Sequence, residues 1–403
     1  MGTPEASAPV QRGAGANLAL ATAAFVLTFW AWNLIGPLSK TYSEQLGLNP
    51  TQTSVLVAFP VLVGAVGRIP AGILTDRFGG RAMLTATCFA ATVPVLLVGL
   101  SGNSYAALLA SGFLLGVAGT SFAVGIPFVN AWYPPAKRGF ATGVFGAGMG
   151  GTALSAFLTP RLVDGVGLLP THLLMCAALA AMGLVCWAFV RDAPQWRPAK
   201  EPALPRLKTV MRLKVTWQMA LLYAIAFGGF VAFSTYLPTM LTTAYGFAQT
   251  EAGLRTAGFS LAAVVARPVG GSLSDRVGPL RVCLASFFGA SVMAVVLAFE
   301  PPPEIPAGTA FVLMALFLGL GTGGVFALVA ERVEPARVGG VTGIVGAAGG
   351  LGGYFPPLVM GAVYELTGSY MLGLLLLAAT AAAVGIFAMR AFRGAREVEH
   401  RPT

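Results

Sequence analysis

Twelve long apolar runs dominate this sequence of 403 residues and limit what the chain can fold into. A helix needs about 20 mostly apolar residues to cross a hydrocarbon core of roughly 30 Å. Only 10% of the residues are charged, whereas soluble domains carry about 25%. The sequence therefore predicts an all-α membrane protein. The runs cover residues 18–38, 54–74, 82–101, 105–132, 139–161, 168–190, 215–238, 252–273, 282–300, 308–331, 339–362 and 370–392.

Lysine and arginine are unevenly distributed between the loops that join these runs. If the N-terminus is cytoplasmic, the cytoplasmic loops and tails hold 20 of the 25 basic residues, and the opposite side holds only Lys40, Arg161 and Arg255. Basic residues accumulate on the cytoplasmic side of membrane proteins. We therefore expect a plasma-membrane protein with both termini in the cytoplasm. The same asymmetry explains the net charge of +10 without a nucleic-acid partner.

The chain repeats itself at a period of about 200 residues. Residues 68–79 resemble residues 267–278, and residues 136–146 resemble residues 336–346. Two related bundles around a central site are a common architecture of secondary transporters. We therefore expect two pseudo-symmetric six-helix bundles, residues 1–190 and 214–403, joined by a basic cytoplasmic linker at 191–213.

Two arginines, Arg68 and Arg267, lie inside predicted helices. Each stands eight residues before an aspartate, Asp76 or Asp275, that marks a helix end, so each lies about 12 Å into the membrane. An arginine at this depth costs at least about 2.5 kcal/mol unless it is solvated or paired, and it keeps its charge.

None of the fifteen acidic residues is placed to neutralise these arginines, since all fall in loops, tails or at helix ends. The expected counter-ion is therefore a small inorganic anion that acts as substrate, and a planar oxyanion suits the fork of a guanidinium group. The alternative is that each arginine binds backbone carbonyls or reaches water.

The remaining ionisable and sulfur-containing residues indicate no further chemistry. His172 lies at a helix end and His400 in the tail, so no intramembrane proton carrier is evident, which favours anion exchange over proton symport. The four cysteines lie in apolar runs without metal-ligand spacing. We expect no metal, no cofactor and no enzymatic activity, because the membrane runs hold no set of catalytic side chains.

A motif at residues 72–81, Gly-x-x-x-Asp-Arg-x-Gly-Gly-Arg, recurs in part at 271–281. Glycine-rich stretches follow at 143–151 and 343–353, and the seventh run contains the segment 221–228. Together with the two buried arginines, these features resemble the nitrate/nitrite porter family of the major facilitator superfamily over about residues 18–392. The resemblance implies the twelve-helix fold of that superfamily and secondary active transport of nitrate and nitrite.

The resemblance also implies a binding site in which arginines from opposite halves hold the anion between aromatic walls. Its predicted substrate contacts are Arg68, Arg267, Tyr223, Phe227, Phe122, Phe326 and Asn33. For each aromatic residue the alternative is plain helix packing, and for Asn33 it is a bond between helices. Family members often carry asparagine where this chain has Met149 or its neighbours. An amide that could contact the anion is therefore absent here, and Thr152 or Ser155 could compensate for it.

The expected mechanism is a rocking of the two halves that exposes the site to each side in turn. Asp76, Arg77, Asp275 and Arg276 are predicted to latch the outward-facing state by pairing across the halves, or simply to anchor the loops. Four glycines are predicted to let helices slide, although small residues are also generic packing devices. They are Gly146, Gly150, Gly346 and Gly350.

Several alternatives to nitrate/nitrite exchange remain open from the sequence. Within transport they are proton-coupled nitrate uptake, nitrite export and a porter for another small anion such as cyanate; a membrane sensor is a further class. The expected partners are the anion and the lipid bilayer, and we expect a monomer.

Overall fold

The computed structural model describes residues 11–101, 103–134, 137–199, 203–334 and 337–393. Within them all regular structure is helical, which confirms the predicted all-α fold. Eleven helices are long and apolar enough to cross a membrane, and a twelfth has 29 residues but carries charged side chains. In chain order they are Ala14–Leu46 (α1), Pro50–Phe78 (α2), Gly80–Leu100 (α3), Tyr105–Trp132 (α4), Arg138–Val166 (α5), Leu168–Phe189 (α6), Lys214–Ala244 (α7), Gln249–Val277 (α8), Pro279–Ala298 (α9), Pro303–Arg332 (α10), Val338–Thr367 (α11) and Met371–Phe392 (α12).

Several helices extend beyond their predicted runs, because polar turns that lie outside the hydrocarbon core continue them. The second run was placed at 54–74, but α2 begins at Pro50 and ends at Phe78. Its start is fixed by a capping box in which Asn49 Oδ1 accepts from the backbone N–H of Gln52 at 2.7 Å, and Gln52 Oε1 accepts from that of Asn49 at 3.1 Å. Hydropathy marks the lipid-facing part of a helix, whereas capping sets its true end.

The repeated motif forms the same turn in both halves. A glycine directly follows the last residue of α2 and of α8; these are Gly79 and Gly278, whose φ angles are 87° and 93°. This region of backbone space strongly favours glycine, so the motif's glycine permits the sharp turn into α3 and α9. Between α6 and α7 lies a short helix, Ala203–Met211.

The two halves differ in the middle of their helices. In the first half α2 is interrupted at Gly67, α4 at the 3₁₀ turn Gly116–Thr120, and α5 at the 3₁₀ turn Ala147–Gly150. Their counterparts α8, α10 and α11 run through the corresponding positions without a change in helix type. The interruptions therefore break the symmetry of the repeat around the middle of the bundle.

The halves meet closely at one end of the bundle, which we call the far face, opposite the end where α1 begins and α12 ends. There Thr239 Oγ1 donates to Ser39 Oγ at 2.7 Å, and Ser54 Oγ donates to the hydroxyl of Tyr236 at 3.0 Å. Gly36 lies directly against the backbone of α7. The far face is therefore closed.

The opposite end, which we call the terminal face, is open between α5 and α11. Gly139 and Gly143 of α5 and Gly339 and Gly343 of α11 lie on the same helix faces as the glycines nearer the centre. A Cβ atom added to any of these four would meet no other atom within 4 Å. A cleft therefore leads from the terminal face toward the middle of the molecule.

Candidate functional site

Arg68 follows directly on the interruption at Gly67 and is 2% exposed. Its Nη1 donates to the carbonyl of Gly346 in α11 at 2.7 Å, and its Nε donates to that of Gly119 in α4 at 3.5 Å. Among the residues the structure describes, its Nη2 has no hydrogen-bond partner. Main-chain oxygens therefore satisfy only part of this guanidinium group.

Arg267, in α8, is 7% exposed. It belongs to the second half and reaches into the first, whereas Arg68 belongs to the first half and reaches into the second. Nη1 of Arg267 contacts Sδ of Met149 in α5. A Cβ on the adjacent Gly146 would lie 3.6 Å from its Cζ. Each arginine thus reaches into the glycine-rich stretch of the opposite half, and the two together connect the halves at the centre of the molecule.

Neither arginine is neutralised by the protein where the structure describes it. The salt bridges of the described ranges all involve other residues, such as Lys40 with Glu44 and Arg255 with Glu251. Two positive charges without a carboxylate in a buried site attract a small anion strongly, because the low local dielectric does not screen them. That no acidic residue neutralises these arginines in the working porter stays a prediction.

Three phenylalanines wall the two charges. The ring centre of Phe122 lies 5.2 Å from Cζ of Arg68 and 5.6 Å from Cζ of Arg267. Phe227 lies 5.1 Å from the former, and Phe326 lies 5.6 Å from the latter. The ring faces attract the guanidinium groups by cation–π interaction and also exclude water from them.

Tyr223 completes this aromatic wall. Its ring stacks on Phe227 with centres 5.1 Å apart and planes 4° apart, and it meets Phe326 edge-on at 4.7 Å. Its buried hydroxyl has no hydrogen-bond partner in the part of the chain that the structure describes. An unpaired buried hydroxyl is costly, so the site contains a donor without a protein acceptor.

Asn33 lies at the junction of three helices rather than against either arginine. Its Nδ2 donates to the carbonyls of Thr152 and Ser234, both at 3.4 Å. Ser155 Oγ donates to the carbonyl of Asn33 at 3.1 Å, and Thr152 Oγ1 donates to that of Met149 at 2.9 Å. These groups connect α1, α5 and α7, and a substrate contact of Asn33 stays a prediction.

The four predicted gating glycines differ in their surroundings. A Cβ on Gly350 would lie 2.7 Å from Cβ of Ala65 and 3.4 Å from Nη1 of Arg68, so α11 approaches α2 closely there. On Gly346 it would lie 3.6 Å from the ring of Phe122, and on Gly150 it would meet nothing within 4 Å. Gly350 is therefore a close-packing position, whereas Gly150 faces open space.

The predicted latch residues lie at the terminal face. The carbonyl of Asp76 accepts from the backbone N–H of Ala199 at 2.9 Å, which joins α2 to the segment after α6. Arg77, Asp275 and Arg276 are exposed. Because the halves are separated at this face, pairing across them in the opposite conformation stays a prediction.

Three partners of the arginines were not identified from the sequence. Two are the main-chain carbonyls of Gly119 and Gly346, which no side-chain pattern in the sequence could reveal. Met149 was considered only as a departure from the family pattern, although its place in the glycine-rich stretch opposite Arg267 was the available signal.

Comparison with known proteins agrees with this architecture. The model of the Major Facilitator Superfamily matches residues 21–248 and 219–403. A probable nitrate/nitrite transporter, NarK2 of Mycobacterium tuberculosis strain H37Rv, is 61% identical over 92% of this chain and 94% of its own length. The chain belongs to the nitrate/nitrite porters of the major facilitator superfamily.

Other nitrate/nitrite porters and solved structures extend the comparison. The probable nitrate/nitrite antiporter NarK1 of Thermus thermophilus is 37% identical and covers 84% of this chain and 83% of its own. A bacterial homologue of the human lysosomal transporter Spinster, solved in an inward-facing and occupied conformation, matches with a TM-score of 0.72 over 95% of this chain and 98% of its own at 18% identity, which shows the shared fold. This porter is an integral membrane transporter and not an enzyme.

Proposed function

We propose that this porter exchanges nitrate and nitrite across the cytoplasmic membrane. The observation that carries the proposal is the pair Arg68 and Arg267, buried from opposite halves with no carboxylate beside them in the described residues. The relatives support the choice of anion, since NarK2 and NarK1 are named as a nitrate/nitrite transporter and a nitrate/nitrite antiporter.

The site suits a small, flat oxyanion. Nη2 of Arg68 and the hydroxyl of Tyr223 are donors without partners in the described chain, and both belong to the group of side chains around Phe227. Charge-assisted hydrogen bonds to an oxyanion are the strong ones. The phenyl faces replace water around a weakly hydrated ion, whereas a strongly hydrated ion would lose more on entering.

Exchange follows from the charge of the empty site. Without an anion, two like charges face each other across the halves, and each arginine contacts the opposite half through Gly346 or Met149. A bound anion offsets the repulsion and allows the halves to rock together around it. Return of the empty site is then unfavourable, so net movement requires an anion in each direction.

The distribution of basic residues supports a cytoplasmic terminal face. The loops at the terminal face and the two tails hold 20 of the 25 basic residues, and the loops at the far face hold three. This distribution matches the positive-inside rule. On this orientation both termini are cytoplasmic, and the cleft at the terminal face leads to the cytoplasm. We propose that the porter acts as a monomer in the lipid bilayer.

Purified porter in proteoliposomes tests the exchange. We expect ¹⁵N-nitrate to enter vesicles loaded with nitrite or nitrate, and to enter anion-free vesicles no faster than protein-free controls. Uptake into anion-free vesicles driven by a pH gradient would instead establish proton-coupled uptake, and nitrite efflux without an external anion would establish export. Competition by cyanate and other small anions measures selectivity.

A further inference from the structure

We propose that the short helix Ala203–Met211, which we call the linker helix, forms a binding surface for anionic phospholipid headgroups at the terminal face. The surface consists of this helix and the first turn of α7, which follows it. It binds the phosphate of a lipid such as phosphatidylglycerol and takes no part in holding the transported anion.

The linker helix is held against the second half by its C-terminal turn. Val210 is 6% exposed, and a Cβ added to Gly340 of α11 would lie 2.8 Å from its Cγ2. Thr216 Oγ1 in α7 donates to the carbonyl of Val210 at 2.8 Å. Trp217 Nε1 donates to the carbonyl of Met211, also at 2.8 Å. The linker helix therefore has a fixed place beside the start of α7.

The face of the linker helix that is turned away from Gly340 is basic. Lys208 and Arg212 are exposed, and each lies two residues from Val210, about 200° around the helix from it. The backbone N–H of Arg212 donates to the carbonyl of Lys208 at 3.2 Å, so the helical turn continues and both side chains share one face. Lys214 is exposed as well. Residues 203–214 contain four basic residues and no acidic one.

These three cations have no partner within the described residues, since none of their side chains takes part in an ion pair or a hydrogen bond there. Other basic residues of the terminal face are held by the protein. Arg81 Nη2 donates to the carbonyl of Trp187 at 2.7 Å, and Arg337 pairs with Glu334 at 3.2 Å. The cations of the linker helix are therefore available to an external anion.

Two large apolar side chains are exposed beside these cations. Met211 is 42% exposed and Trp217 is 53% exposed, and the bond from the indole to the carbonyl of Met211 keeps them adjacent. Tryptophan is enriched where membrane meets water, and basic residues next to exposed apolar ones are typical of helices that lie in the headgroup region. A lipid satisfies both features, because its phosphate meets the cations and its acyl chains cover the apolar pair.

Quenching of Trp217 fluorescence by brominated lipid tests the proposal in phosphatidylcholine proteoliposomes that contain the full chain. The Trp217 signal is obtained by subtracting the signal of Trp217→Phe. At equal low mole fraction, we expect brominated phosphatidylglycerol to quench it at least about threefold more strongly than brominated phosphatidylcholine. In Lys208→Gln/Arg212→Gln the two lipids are expected to quench equally. About 1 M NaCl is expected to remove most of the excess in the wild type.

Lys137→Gln/Arg197→Gln is the matched control, because it removes the same two residue types from exposed positions at the terminal face of the first half. Its excess quenching by phosphatidylglycerol is expected to equal that of the wild type. Lys208→Arg/Arg212→Lys keeps both charges and is expected to keep the excess. Gel filtration and thermal unfolding establish that each variant is folded.

Equal quenching by the two lipids in the wild type overturns the proposal, and so does an excess that survives in folded Lys208→Gln/Arg212→Gln. Soluble glycerol phosphate, added as a competitor, distinguishes a lipid from a free phosphate. We expect it to leave the excess unchanged, because it offers no acyl chains to Met211 and Trp217. Loss of the excess with this competitor would assign the surface to a soluble phosphate and overturn the assignment to lipid.

Discussion

Arg68 and Arg267 are stable inside the bundle because each charge has several partial partners. Ring faces of Phe122, Phe227 and Phe326 lie within 5.6 Å of one or both guanidinium carbons, and each such contact contributes about 0.5–2 kcal/mol. Acceptors from the opposite half add to this, but Nη2 of Arg68 has none in the described chain. We propose that the substrate anion neutralises the charge that remains unsatisfied.

The hydroxyl of Tyr223 is expected to bind the anion directly. Tyr223→Phe removes a buried group without a partner in the described residues, so we expect thermal stability of the anion-free porter to be unchanged or higher. Nitrate is expected to bind roughly tenfold more weakly, since a hydrogen bond to a charged group contributes about 1.5–3 kcal/mol. Calorimetric titration and thermal unfolding measure the two effects.

Tyr236→Phe is the control for that variant, since the Tyr236 hydroxyl accepts from Ser54 at the closed far face. We expect its nitrate affinity to match the wild type. An unchanged affinity in Tyr223→Phe would remove the hydroxyl from the binding site.

At the scale of helices, the glycines of α5 and α11 line one face of each helix, and this face is closely packed near the centre and open toward the terminal face. Near the centre Gly350 packs closely on α2, whereas a Cβ added to Gly143 or Gly343, toward the terminal face, would meet no other atom within 4 Å. Small residues allow helices to approach closely. We therefore expect the open glycines to provide the surface on which the halves close when the site turns to the far side.

A bulky residue in this cleft is expected to hold the porter in the observed conformation. Gly343→Leu has room in this structure, so folding and nitrate affinity are expected to be unchanged while exchange in proteoliposomes falls to the background. Gly165→Leu serves as the control and is expected to exchange normally, because a Cβ added to Gly165 would also meet no other atom within 4 Å, but Gly165 lies near the far end of α5. Wild-type exchange by Gly343→Leu would show that α11 does not close at this position.

The helices themselves were largely predictable, because apolar runs of membrane length have few alternative structures. The equal depth of Arg68 and Arg267 also followed from their spacing to Asp76 and Asp275. The interruptions at Gly67 and in the 3₁₀ turns of α4 and α5 were not foreseen, since equivalent glycine-rich sequences in α10 and α11 form continuous helix. Packing between helices decides such cases, and hydropathy carries no information about it.

For the whole molecule, the sequence repeat predicted two halves but not which face is closed. That depends on contacts between residues about 200 positions apart, such as Ser39 with Thr239 and Ser54 with Tyr236. In this structure the far face is closed and the terminal face is open. A rocking mechanism requires these contacts to part once in every cycle.

A cross-link at the far face is expected to stop transport. Thr239 Oγ1 lies 2.7 Å from Ser39 Oγ, so cysteines at both positions can approach disulfide distance. Oxidised Ser39→Cys/Thr239→Cys porter is expected to lose exchange and to recover it after reduction, while each single variant stays active. Full exchange by the cross-linked protein would mean that these helices need not separate.

The two buried arginines are tested most directly by ¹⁵N-nitrate uptake into nitrite-loaded proteoliposomes that contain the Arg68→Gln/Arg267→Gln variant. Gel filtration and thermal unfolding establish that this variant is folded. We expect uptake to fall to that of protein-free vesicles, since no other charge in the described site can hold the anion. Uptake at the wild-type rate by the folded double variant would contradict the assignment of these arginines as the anion-binding groups.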